Sequence, residues 1–184
     1  MGQLSEQTVL VLGLGGIGRT LARKLSSLGA TVIGTSRRGI VAPGVTRVIH
    51  PDDIKDVAST VDAVVNTLPG TTATEHLLND DFFASLQPGT TVVNVGRGTV
   101  IDETALIDGL NKGTVGFAAL DVFETEPLPS TSPLWDRDDV LISPHTAGLT
   151  AAEERLIAEL FAANATRLLD GKPLVNLVDT VEFY

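Results

Sequence analysis

The sequence predicts an α/β protein built on an open, doubly wound, mostly parallel sheet. Three observations carry this. Short apolar runs alternate with helical patterns along the chain. Several runs, such as Val9-Leu10-Val11-Leu12, lack polar interruption, as in strands buried on both faces. Glycines and prolines punctuate the junctions, as in the short turns of βα connections.

The first strand, from Val9, enters Gly13-Leu14-Gly15-Gly16-Ile17-Gly18, and a helical pattern runs from Arg19 to Leu28 with Gly29 as its stop. Gly13, Gly15 and Gly18 have G-x-G-x-x-G spacing between strand and helix. The first glycine allows a tight turn, the second a close approach of backbone to a pyrophosphate, and the third close helix–strand packing. The free N–H groups at the helix start, where Gly16 and Ile17 stand, face such phosphates with the helix dipole behind them. The turn therefore reads as a dinucleotide site. Thr31-Val32-Ile33-Gly34-Thr35 is the second strand, followed by Ser36-Arg37-Arg38. A carboxylate here would bond the ribose hydroxyls of NAD, whereas a hydroxyl and two guanidinium groups suit a 2′-phosphate. NADP is the expected cofactor, with NAD second; the plainer reading is a solvated basic turn.

Val45 to Ile49 is the third strand, and residues 51–60 form a short helix. Asp62 to Leu68 is the fourth strand, ended by Pro69-Gly70. Thr72 and Glu75 have capping-box spacing and place the next helix there, with Thr74 near enough to its start to reach a phosphate or simply to cap the turn. Thr90 to Val95 is the fifth strand and runs into Gly96-Arg97-Gly98; Asp102 opens a helix that ends near Gly113. Gly116 to Val122 is the sixth strand, residues 123–139 are a polar, proline-bearing loop, and Val140 to Ser143 is the seventh strand, stopped by Pro144. Thr150 and Glu153 make a second capping box, after which Leu156, Ile157, Leu160, Phe161, Leu168 and Leu169 share a helical face.

The formal net charge of -10 at pH 7 argues against nucleic acid or an anionic membrane as partner. There is no cysteine, so thiolate metal sites and disulfides are excluded, and no metal site is expected. No apolar run approaches the roughly 18 residues of a membrane span. The start Met1-Gly2-Gln3-Leu4-Ser5-Glu6 carries neither a basic leader nor a myristoylation pattern, so a cytoplasmic protein is expected.

Ligands of such sheets bind beyond the carboxyl ends of the strands. Arg97, Glu126 and His145 follow the fifth, sixth and seventh strands, and Asp121 lies near the end of the sixth. The other histidines, His50 and His76, are assigned to solvent and to a helix face.

The segments Gly13 to Gly18, Val93-Asn94-Val95-Gly96-Arg97-Gly98, Leu120-Asp121-Val122-Phe123-Glu124-Thr125-Glu126-Pro127-Leu128 and Ser143-Pro144-His145-Thr146-Ala147-Gly148, with Pro133-Leu134-Trp135, resemble the D-isomer-specific 2-hydroxyacid dehydrogenases. The Thr-Ser-Arg-Arg turn resembles the NADP-preferring glyoxylate and hydroxypyruvate reductases among them. The resemblance implies a Rossmann-type NAD(P)-binding domain and hydride transfer between NAD(P)H and a small 2-keto or 2-hydroxy acid. It implies that Arg97 binds the substrate carboxylate and carbonyl and lies against the cofactor, and that His145 is the general acid/base beside the same cofactor. It makes Glu126 the partner that orients and charges His145, and Asp121 the holder of the nicotinamide carboxamide. Leu68, Pro69, Val95, Gly96 and Gly148 fall along the cofactor in the same scheme. The family's substrate lobe precedes the glycine turn, which begins here at residue 13, so the expected division is a dinucleotide-binding domain over 1–149 and a helix and tail over 150–184 that in the family packs on that lobe. A homodimer, or a chain completed by such a lobe, is expected. A non-catalytic NAD(P)-binding module acting as sensor or partner-binding unit is the alternative.

Overall fold

The structure, a computed structural model, describes residues 3–178. Met1, Gly2 and the predicted tail beyond Val178 lie outside the described residues. The chain divides into two compact units, with the boundary between His145 and Thr146.

In the first unit a seven-stranded sheet has the order β3-β2-β1-β4-β5-β6-β7, with every pairing parallel. The strands are β1 (Thr8–Leu12), β2 (Thr31–Thr35), β3 (Arg47–Ile49), β4 (Ala63–Asn66), β5 (Thr90–Asn94), β6 (Val115–Leu120) and β7 (Val140–Ile142). Side chains alternate faces along each strand. Val9, Val11, Val32 and Val65 pack on one face beneath α1 (Gly16–Ser27), which contributes the fully buried Ala22. Leu10, Leu12, Val64 and Val92 pack on the other beneath α2 (Ile54–Ala58), α3 (Asp80–Ser85) and α4 (Glu103–Lys112), which supply Val57, Phe82 and Leu106. Burial on both faces is why the first strand reads as an uninterrupted apolar run. The sheet is the doubly wound one expected, and its order reverses between β1 and β4, opening a crevice at their carboxyl ends.

Several boundaries move. The first helix starts at Gly16 rather than Arg19, within the glycine turn itself. The predicted helix over 51–60 shortens to a 3-10 turn, Pro51–Asp53, followed by α2. No helix starts at Thr72. The Thr74 hydroxyl donates to the Pro69 carbonyl at 2.7 Å and accepts from the Thr71 N–H at 2.9 Å, while His76 and Leu78 bond to the carbonyls of Thr99 and Val100. These longer-range pairings hold the segment as turns. The following helix starts at Asp80, capped by Asn79, whose side chain accepts from Phe82 N–H at 3.2 Å.

The second unit contains α5 (Glu153–Leu169). Its predicted capping box is not formed: Ala152 occupies the cap position without a side-chain bond, and the Thr150 hydroxyl accepts from the Ala152 N–H instead. Asn164 exchanges two bonds with the Val175 backbone, at 3.0 and 2.9 Å, so the segment after Gly171 returns along the helix. Leu156, Ile157, Phe161, Leu168 and Leu169 are exposed along α5. No helix among the described residues is long and apolar enough to cross a membrane.

Candidate functional site

The glycine turn crosses from β1 to α1 at the crevice. Gly13 takes φ +90°, in the left-handed region, and its N–H donates to the buried Thr35 hydroxyl at 2.9 Å. The Thr67 hydroxyl reaches the carbonyls of Leu12 and Gly13, each at 2.9 Å. A Cβ on Gly18 would stand 1.9 Å from the Gly13 carbonyl oxygen, so helix and strand approach as only glycine permits. Gly15 and Gly16 differ: a Cβ on either would meet nothing within 4 Å. Both are exposed, as is Ile17 beside them. The two outer glycines therefore serve the fold, and the middle pair leaves room for something to come close.

At the end of β2, Ser36 donates its N–H to Ile49 and its hydroxyl accepts from Ile40 N–H at 3.0 Å. Arg37 and Arg38 stand exposed on this turn. Ser36, Arg37 and Gly39 line a cavity of about 440 Å³ with Val41, Ile49 and His50. His50, assigned to solvent from the sequence, thus also borders this cavity, and its Nδ1 accepts from Asp52 N–H at 3.3 Å.

The carboxyl ends of β4 and β5 are joined by a buried amide pair. Asn66 Nδ2 donates to Asn94 Oδ1 at 2.8 Å, and both residues are within 1% of full burial. Asn66 Oδ1 accepts the Leu68 N–H at 3.0 Å; Asn94 Oδ1 accepts the Gly96 N–H at 3.2 Å, and Asn94 Nδ2 donates to the Arg97 carbonyl at 3.1 Å. The loops carrying Leu68–Pro69 and Val95–Arg97 are thus held by the same two side chains. A Cβ on Gly96 would meet the Leu68 carbonyl oxygen at 2.6 Å, so the loops also touch through their backbones. Arg97 is exposed, with Nη1 donating to its neighbour's carbonyl, Gly96 O, at 2.8 Å.

After β6 and β7 the remaining residues meet. His145 Nδ1 and Glu126 Oε2 are 2.7 Å apart, and Glu126 Oε1 accepts from Phe123 N–H at 3.1 Å. The hydrogen bond from His145 holds the Glu126 carboxyl below the usual glutamate range; the Phe123 N–H and the positive charges of His145 and Arg97 act the same way, against partial burial. Arg97 therefore lies within electrostatic reach of the pair. His145 takes φ +55°, and its N–H donates to the Asp121 carbonyl at 2.8 Å. The Asp121 carboxylate accepts from the Ser143 hydroxyl at 2.6 Å. With a carboxylate on Nδ1, the imidazole is set to carry a proton there and to leave Nε2 for other work.

The structure thus brings Arg97, Glu126, His145 and Asp121 to one end of the sheet, while Thr74 is occupied within its own turn and Gly148 lies in the second unit. Thr35, Asn66, Thr67, Asn94 and Ser143 were not singled out from the sequence. Their common signal is a polar residue at or just beyond the carboxyl end of an apolar strand.

Residues 1–147 match the model of the D-isomer specific 2-hydroxyacid dehydrogenase NAD binding domain. The chain belongs to this family. A glyoxylate/hydroxypyruvate reductase A of Yersinia enterocolitica is 34% identical over 182 residues, covering 99% of this chain and 58% of that protein. A D-isomer specific 2-hydroxyacid dehydrogenase of Xanthobacter autotrophicus Py2, solved with NADPH and MES, superposes with a TM-score of 0.92 at 38% identity, over 100% of this chain and 75% of its own. An NADPH-dependent glyoxylate/hydroxypyruvate reductase of Sinorhizobium meliloti, solved with NADP and sulfate, gives 0.92 at 32% identity, over 100% of this chain and 59% of its own. The chain spans less than three-fifths of the length of the first curated relatives it matches.

Proposed function

We propose that this chain is the cofactor-binding part of an NADP-preferring 2-hydroxyacid dehydrogenase acting on a small 2-keto acid of the glyoxylate or hydroxypyruvate kind. The observation that carries the reading is the Glu126–His145 pair at 2.7 Å, at the same carboxyl edge of the sheet as Arg97 and the open glycine turn. A pure binding module has no use for an acid–base pair.

The residues present fit the dinucleotide. Gly15 and Gly16 leave the α1 N-terminus clear for a pyrophosphate, with Ile17 against it. Ser36, Arg37 and Arg38, at the end of β2, supply a hydroxyl and two guanidinium groups of the kind that pair a ribose 2′-phosphate. Leu68, Pro69, Val95 and Gly96 form the facing loops, and the Asp121 carboxylate, fixed by Ser143, is the group to hold a carboxamide. Gly148 remains a proposed contact in the second unit. The Thr74 hydroxyl already serves Pro69 and Thr71, which favours its capping role over a phosphate contact.

When bound, the nicotinamide supplies the hydride. This chain's residues do the rest. Arg97 grips the keto acid through paired bonds to its carboxylate and carbonyl. His145 gives its Nε2 proton to the carbonyl oxygen as the alcohol forms and takes one back in the reverse direction. Glu126 holds Nδ1–H, fixing the tautomer and favouring imidazolium during the transfer.

The exposed apolar residues of α5 support its packing on a substrate lobe. Phe117 and Leu141, exposed on the face that α1 covers elsewhere, support assembly as a homodimer, which light scattering would read. The central test has two arms. NADPH titrated into this chain should bind, and bind more tightly than NADH. In the full-length protein, His145→Ala should lower turnover with glyoxylate by at least about 100-fold while NADPH affinity stays within about threefold. Undiminished turnover would end the reading.

A further inference from the structure

A second cluster of titratable side chains lies outside the set assigned above: His76, Asp102, Glu103 and Glu124. Its members come from three connections, and each connection carries a residue of the proposed site. His76 belongs to the β4–α3 connection with Leu68 and Pro69; Asp102 and Glu103 begin α4, after the loop of Arg97; Glu124 belongs to the β6–β7 connection with Asp121 and Glu126. Glu103 Oε1 accepts the Glu124 N–H at 2.7 Å. His76 Nε2 is hydrogen-bonded to Glu124 Oε1, and His76 Nδ1 lies 3.9 Å from Asp102 Oδ2, while the other Asp102 oxygen caps α4 through Ala105 N–H at 3.1 Å. One residue earlier, the Phe123 N–H donates to Glu126 Oε1. Consecutive N–H groups thus reach two carboxylates, one on a helix anchored in the core and one on the acid–base pair. Gly98, next to Arg97, closes the junction: a Cβ there would stand 1.9 Å from the Phe123 carbonyl carbon.

We propose that Glu103, with the His76–Glu124 pair, is a positioning junction that fixes the Phe123–Glu124 backbone and through it the carboxylate of Glu126 against His145. This rests on the reading of Glu126 and His145 given above. Burial raises the Glu103 pKa, and so does the nearby Glu124 carboxylate; the bond from Glu124 N–H is the one interaction that opposes them. A carboxylate kept beside a like charge and partly desolvated is explained by the backbone group it holds.

The readout is the carboxyl carbon of Glu126, followed by NMR against pH in this chain without cofactor and assigned with Glu126→Gln. Glu103→Ala should move its titration midpoint up toward the ordinary glutamate range, weakening the Glu126–His145 preference for the charged form by at least about threefold. Glu103→Gln keeps an oxygen for the Glu124 N–H and should leave the midpoint within about 0.2 units. If Glu103→Ala does not fold, the double variant His76→Leu, Glu124→Gln is read in its place, with a shift of the same sign expected. An unmoved midpoint in the folded variant, or equal shifts in Glu103→Gln and Glu103→Ala, overturns the junction. NADPH uptake and turnover play no part in this measurement, so its failure leaves the enzymatic reading standing, and failure of that reading leaves the titration interpretable.

Discussion

Two substitutions in the glycine turn, one turn of helix apart, should have opposite consequences. Gly18→Ala places a methyl carbon 1.9 Å from the Gly13 carbonyl oxygen and 3.0 Å from both the Gly13 carbonyl carbon and the Thr67 hydroxyl. The first distance is far inside van der Waals contact, and the obstacle is backbone, so no rotamer relieves it. Helix α1 has to lift from β1. Overpacking of this kind costs about 1–3 kcal/mol. The lift also loosens the two bonds from the Thr67 hydroxyl, each 2.9 Å long, which contribute about 0.5–1.5 kcal/mol apiece. The expected loss is about 2–6 kcal/mol, a large part of the roughly 5–15 kcal/mol that holds an ordinary domain.

Gly15→Ala meets open space, at φ -77° and ψ -159°, values that alanine also adopts. The stability loss should stay below about 1 kcal/mol, the difference between glycine and alanine at a helix cap. A methyl group there stands where the pyrophosphate is proposed to come closest, so NADPH affinity should fall at least about tenfold. Urea unfolding followed by circular dichroism gives the first quantity, and fluorescence titration with NADPH the second. A Gly18→Ala variant as stable as the parent would refute the packing argument. A Gly15→Ala variant that binds NADPH undiminished would refute the placement of the phosphates.

Three further outcomes are expected. Arg37→Ala with Arg38→Ala should weaken NADPH binding about 10–100-fold, the worth of one or two charge-assisted bonds, and change NADH binding by less than about threefold; equal losses in the two titrations would return the pair to a solvated turn. Asn94→Leu removes the partner of Asn66 Nδ2, of the Gly96 N–H and of the Arg97 carbonyl, and should cost about 2–4 kcal/mol in urea unfolding. Glu126 has its carboxyl pKa lowered in the folded chain by the bond from His145, so its pairing contributes stability above the ordinary glutamate value and loses it as pH falls through the lowered one. On the acid side the stability difference between the parent and Glu126→Gln should therefore shrink as pH falls below the ordinary glutamate range; with both side chains more than a third exposed it should stay under about 1 kcal/mol. A difference that grows on acidification would show the sign to be wrong.

The legible parts of this protein are those whose cause is local. Val9 to Leu12 is apolar because β1 is covered on both faces, and the glycine spacing after it follows from a turn that must pass between strand and helix; both causes lie within about ten residues of the letters that report them. The positions of Arg97, Glu126 and His145 at one end of the sheet were legible because each follows a recognisable strand. The failures have a different origin. Thr72 and Glu75 have the spacing of a capping box, but the neighbouring Thr74 hydroxyl turns to Pro69 and the backbone of His76 and Leu78 pairs with Thr99 and Val100, partners that no local pattern names. Asn79 with Asp80 and Asp81 carried the true start signal a few residues on.

Asn66 and Asn94 show the limit most clearly. Each looks like a polar residue ending a strand, where an amide needs no explanation. They become a pair only because β4 and β5 run parallel in one register, which sets Asn66 opposite Asn94 at the crevice. Each amide then anchors the loop after its own strand, and the two loops hold Leu68 and Arg97. The strand ends therefore act as the fixed points from which site residues are hung, and what fixes them is sheet register, a property shared by segments far apart in sequence. By the same logic the part of a site least visible in a sequence is the layer behind its candidate residues, and here that layer is the two buried amides, Thr35, Thr67 and the bond from Glu124 N–H to Glu103.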